Sequence, residues 1–162
     1  MQEFAFAAGV LALLVAAVLI GHALIRKRRL RLVSPDLARA MFVDQRAELE
    51  RQFFEAAAAT GKPRGLSWKS CEFGPDLQLA RQRFTGELVA LVDVTIAFEA
   101  IPGSDMEGLP AVGNLRSATA VFTWRQRWTT TGRAVFNLGP DEALRHFRTQ
   151  YEPVEMAEEN PT

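Results

Sequence analysis

Seven apolar side chains alternate without a break in the middle of the chain: Leu88, Ala90, Val92, Val94, Ile96, Phe98 and Ala100. A period of two is the signature of a strand with one buried face. The spacing predicts a strand over Glu87–Ile101, far longer than the usual five or six residues and therefore bent or strongly twisted. A strand of that length needs partners on both edges and a layer over its apolar face. The rest of the domain must supply them.

The candidates follow on either side. Leu66–Phe73 reads as a strand ended by Gly74-Pro75-Asp76, and Leu77–Phe84 as a second. Thr85-Gly86 then predicts a two-residue hairpin turn, which sets Leu79 opposite Val92 and Leu77 opposite Val94. Pro102–Asn114 is rich in glycine and proline and reads as a loop. Leu115–Trp124 and Trp128–Asn137 are two further strands, with Trp124 expected opposite Trp128 across Arg125-Gln126-Arg127. Upstream, Ser34-Pro35-Asp36 is a helix start: a hydroxyl cap, proline at the first position and an acid in the first turn. The helix is expected to reach Thr60 and stop at Gly61, with Phe42, Leu49, Phe53 and Ala57 on one face. Gly139–Glu142 begins a short last helix, with Leu144, Phe147 and Tyr151 facing inward.

The N-terminal quarter has a different character. Phe4–Ile25 is 22 residues without a charged side chain. As a helix it would span roughly 33 Å, enough for a bilayer core of about 30 Å. Five cations follow at once: Arg26, Lys27, Arg28, Arg29 and Arg31. A secretory leader would carry its charge before the apolar run and a small-residue cleavage site after it. The run therefore reads as an anchor. Arg26, Lys27, Arg28 and Arg29 are read as the flank that sets topology, placing the N-terminus outside and residues 26–162 in the cytoplasm. Small residues at four-residue spacing (Ala5, Gly9; Ala17, Gly21) would allow a partner helix to approach.

The expected organisation is an anchor over 1–25, a basic collar over 26–33, a domain over 34–151 and a disordered acidic tail over 152–162. The fold class is α+β: an N-terminal transmembrane helix, then a long helix packed on a curved five-strand antiparallel meander, with a short C-terminal helix. This order resembles the cystatin-like architecture. The strings Gly86-Glu87-Leu88-Val89-Ala90-Leu91-Val92 and Gly132-Arg133-Ala134-Val135-Phe136-Asn137-Leu138 are similar to a family of uncharacterised bacterial membrane-anchored proteins. That resemblance implies an anchored α+β domain and no assigned activity.

Charge and composition narrow the function. Residues 32–162 hold 14 Lys+Arg and 18 Asp+Glu, a net charge of −4, which argues against a nucleic-acid partner. A single cysteine, Cys71, precludes an internal disulfide and a Cys-based zinc site, and no cofactor is expected. Gly61-Lys62 is no phosphate loop, because Ala56 and Pro63 stand where glycine and Ser/Thr are required. His146 reads as a surface side chain and Cys71 as a small buried one. Asp93 and Glu99 share a strand face but lie about 20 Å apart, too far for one reaction centre. Asp105 and Glu107 read as loop acids. Arg81 and Arg83 read as the solubilising end of a hairpin.

Two function classes remain. The first is a membrane-tethered cytoplasmic binding or assembly domain without catalytic activity. Its candidate partner face is Ala80, Val89, Leu91 and Ala97, open to a membrane protein or a second copy. The second is a small-molecule-binding or enzymatic cystatin-like or NTF2-like domain, with a pocket between helix and sheet around Trp68, Asp93 and Trp124.

Overall fold

The alternating segment forms the middle strand of a five-stranded antiparallel sheet in a computed structural model. The structure describes residues 33–60 and 64–154, together with Val15, Val18, Leu19 and Gly21, which are helical. Most of the uncharged run, the collar, the Gly61 stop and residues 155–162 lie outside the described residues. Among the described residues no helix is long and apolar enough to cross a membrane.

In chain order the elements are α1 (Pro35–Asp44), α2 (Arg46–Thr60), β1 (Leu66–Gln82), β2 (Leu88–Ala100), a 3-10 turn (Pro110–Gly113), β3 (Arg116–Trp124), β4 (Trp128–Phe136), α3 (Pro140–His146) and β5 (Tyr151–Pro153). The sheet order is β4-β3-β2-β1-β5. The α+β class and the five antiparallel strands are as expected, but the strands are not the expected five.

Four differences stand out. The segment 66–84 is one strand to Gln82, not two. Gly74, Pro75 and Asp76 form an irregularity opposite Asp93, between the pairs Phe73↔Val94 and Leu77↔Val92. Carbonyls at this irregularity are held from the helices: Arg46 Nη2 donates to Gly74 O, and Arg39 Nη1 donates to Leu77 O at 3.3 Å. The turn to β2 takes in Arg83 to Gly86, with Gln82 N–H bonded to Glu87 O at 2.8 Å and Gly86 at φ +73°. The register therefore slips by two, to Leu79↔Ala90 and Leu77↔Val92. An even slip keeps each side chain on its intended face.

The helix from 35 is interrupted at Gln45, yet Gln45 N–H to Met41 O and Leu49 N–H to Gln45 O carry the bonding across. Ser34 caps it as expected, its Oγ accepting from Leu37 N–H at 3.2 Å. The last helix ends at His146, and Tyr151–Pro153, expected as helix end and tail, pairs with Ala80–Gln82 as an edge strand.

The sheet has a core on each face. On one, Phe42, Leu49, Phe53 and Ala57 pack on the even-numbered side chains of β2. The indole N–H of Trp128 donates to Ala38 O at 2.8 Å, and the ring of Phe42 meets Phe122 and Trp128 edge-on at 5.1 and 5.3 Å. Such pairs add about 0.5–1.5 kcal/mol each beyond area burial. Trp124 and Trp128 pair as expected, with centroids 5.5 Å apart. On the other face, α3 and β5 cover Ala80, Val89, Leu91 and Val121 with Ala143, Leu144 and Tyr151. The domain is thus helix, sheet and helix in three layers.

The approach of α2 to β4 depends on Gly132. Its φ is +74°, and a Cβ there would overlap the backbone of Ala56 and Ala57. Gly132→Val combines left-handed strain with a backbone clash, at roughly 3 kcal/mol or more. Denaturant unfolding of the full-length protein in detergent, read by tryptophan fluorescence, should show that loss; a midpoint equal to the parent's would contradict the close approach.

Candidate functional site

The residues singled out from the sequence do not converge. Trp68 packs on Phe98 at the far end of β2, while Trp124 lies at the opposite end beside Trp128. Their neighbours on β2 are about ten residues apart, roughly 33 Å. Asp93 points to the other face of the sheet, and its carboxylate lies against Gly74, where a Cβ would stand 2.6 Å from Oδ2. Between helices and sheet, Phe42, Phe53, Phe122 and Trp128 are buried and pack on one another, ring to ring.

The candidate partner face is largely closed from within the chain. Ala80, Val89 and Leu91 are buried beneath α3 and β5, and only Ala97 is half-exposed. The collar residues Arg26, Lys27, Arg28 and Arg29 lie outside the described residues.

A cleft of about 220 Å³ opens instead on the face that carries α3, between β4 and the β1–β5 edge. Val89 and Val121 form its floor, and Glu87, Arg125, Arg133 and Tyr151 contribute polar groups. Glu87 is only 4 % exposed although it stands between the 83–86 turn and the start of β2. Its Oε1 accepts from Arg125 Nε at 3.1 Å, a contact between two turns 38 residues apart. Arg133 Nη1 donates to the Tyr151 hydroxyl at 3.4 Å. Thr129 and Thr130 donate to Thr123 O at 3.1 Å and Val121 O at 2.9 Å, so both hydroxyls serve the strand pairing.

An arginine stays protonated, so Glu87 with Arg125 is an ion pair and not an acid/base couple. The volume falls below the roughly 300 Å³ at which small-molecule pockets begin. Sequence reasoning missed the cleft because Thr131 and Arg133 fall in an irregularity of the β3–β4 pairing, between Phe122↔Thr130 and Ala120↔Ala134, that no local pattern announces.

The remaining polar candidates are separate. His146 is exposed, its ring against Phe147 at 4.7 Å. Glu99 accepts from Ser67 Oγ at 3.2 Å, and Glu107 accepts from Gly103 N–H at 2.7 Å within the 102–114 loop. Among the described residues no three His, Cys, Asp or Glu side chains group so as to hold a metal ion. Cys71 is half-buried against the helix-side core, and burial pushes its thiol up to about 12. The chain matches no family model, no curated protein and no solved structure.

The Cys71 thiol supplies a test of the packing around β1. The thiolate is the reactive form, and burial disfavours it. At pH 8 alkylation of the native protein should be slower than that of the urea-unfolded chain by about a hundredfold or more. Equal rates would mean that Cys71 is not packed on the core.

Proposed function

We propose that the chain is a single-pass, membrane-tethered cytoplasmic domain that binds or assembles with other components and has no catalytic activity of its own. The observation that carries this reading is the juxtaposition at the N-terminus. An uncharged run of 22 residues is followed by five cations within six positions, and α1 starts at Pro35 directly after its Ser34 cap. The link between run and domain is too short to let the domain leave the neighbourhood of the bilayer. The positive flank assigns that neighbourhood to the cytoplasmic side.

The interior supports a non-catalytic role. The helix-side face of the sheet and the half of the other face around Val89 and Leu91 are used for the domain's own packing, and the polar cleft holds an ion pair. The partner on this reading is a membrane protein, met through the small-residue rows of the anchor, or a second copy of the chain. The cystatin-like resemblance rests here on one feature, long helices laid across an antiparallel sheet. The alternative, a ligand pocket between helix and sheet, would require the space that Phe42, Phe53 and Trp128 occupy.

Protease added to intact cells should leave residues 32–162 uncut, and cut them only after lysis. Cleavage without lysis would reverse the topology. Release of the chain by alkaline carbonate would remove the anchor.

A further inference from the structure

One end of the domain gathers the point of chain entry, two turns and most of the nearby positive charge. Trp128 begins β4 directly after the 125–127 turn and is bonded to Ala38 O of α1. Ser34 is four residues earlier, on the order of 6 Å along a helix. Glu87 and Arg125 join the 83–86 and 125–127 turns at 3.1 Å. Arg83 Nε donates to Arg148 O at 3.0 Å, which brings the segment after α3 to the same end. The anchor's connection therefore enters the domain where both turns lie.

Charge at this end runs against the domain average. Residues 32–162 carry a net −4. Yet this end presents Arg81, Arg83, Arg125, Arg127 and Arg148, against Asp36 in the first turn of α1 and the carboxylates of Glu87 and Glu152, the last two each paired with an arginine. The other end of the sheet has mixed charge: Asp105 and Glu107 in the loop between β2 and β3, with Arg64 and Arg116 beside it. At the tip of the 83–86 turn stands Phe84, 80 % exposed, more than any other large hydrophobic among the described residues. An aromatic ring held in water beside arginines has the chemistry of a bilayer interface, where rings enter the headgroup level and cations meet phosphates.

We propose that this end of the domain is a second membrane contact. Phe84 enters the interface, and the surrounding arginines bind the headgroups of anionic phospholipids in the bilayer that holds the anchor. The inference rests on the anchored reading above. It adds that the domain does not swing freely but lies in one orientation, turns down and acidic loop away from the membrane. The nine residues from Arg26 to Ser34 reach at most about 30 Å when extended, so a flush contact is within reach. An anionic leaflet is the surface that Arg81, Arg127 and Arg148 complement once Arg83 and Arg125 are set against their acids.

The test uses full-length protein in lipid nanodiscs, with a polarity-sensitive fluorophore on Phe84→Cys in a Cys71→Ser background. A second label on Asp105→Cys reports the opposite end. In discs containing phosphatidylserine, the label at 84 should shift to the blue and be quenched by brominated lipid at least twofold more than the label at 105. In phosphatidylcholine alone, or at 1 M salt, the difference should disappear. Equal, water-like emission at both positions in phosphatidylserine discs that retain the protein would overturn the second contact and leave the anchor standing. Failure of the full-length protein to remain with discs through alkaline carbonate would overturn the anchor, and this inference with it.

Discussion

Burial of β2, on its helix side throughout and on both faces from Leu88 to Val92, is the constraint on which the rest of the domain depends. Its even-numbered side chains pack under α1 and α2, and Val89 and Leu91 pack under α3 and β5. A strand buried on two sides cannot shift by one residue without exchanging its two environments. Each neighbouring element therefore has its place set by β2. β1 and β3 satisfy its backbone, α2 closes down at Gly132, and the C-terminal segment returns to cover the second face.

The irregularities in the sheet are where helices and strands are joined. At Gly74–Asp76 the ladder loosens, and Arg46 and Arg39 reach from the helices to backbone carbonyls there. Proline inside a strand removes a ladder donor, and a bulge is the usual accommodation. At Gly132 the positive φ and the missing Cβ permit backbone contact with the alanine run of α2. The polar cleft lies beside this second irregularity, and Glu87, Arg125 and Arg133 line it.

Features with a local cause could be read from the sequence. The Ser34 cap, the stripe from Phe42 to Ala57, the alternation of β2 and the Trp124–Trp128 pair all follow from spacing within one or two elements. Features caused by distant residues could not. Nothing near Gln45 announces an interruption, since no glycine or proline lies between Asp36 and Thr60. Tyr151–Pro153 becomes a strand only because the edge of β1 is free to pair with it. Glu87 looks like an ordinary turn acid until Arg125 arrives from another hairpin. The apolar second face is evident from Val89 and Leu91, but its cover, α3, is too short a helix for sequence to assign to a face. The same limit separates the two ends of the domain: Arg83, Arg127 and Arg148 are scattered in sequence, and only the turns bring them to the side where Ser34 begins α1.

The most direct test of β2 as a doubly buried centre is the unfolding free energy of Val92→Asp in the full-length protein. Val92 is 1 % exposed on the helix side, opposite Leu77 and Ala120. A carboxylate there has no partner in a core of aliphatic and aromatic groups, so its burial costs several kcal/mol, of the order of a domain's whole stability. Denaturant titration should show the variant largely unfolded or its midpoint strongly lowered. A midpoint equal to the parent's would mean that Val92 faces water, that the assigned faces of β2 are reversed, and that the layered arrangement built on them is wrong.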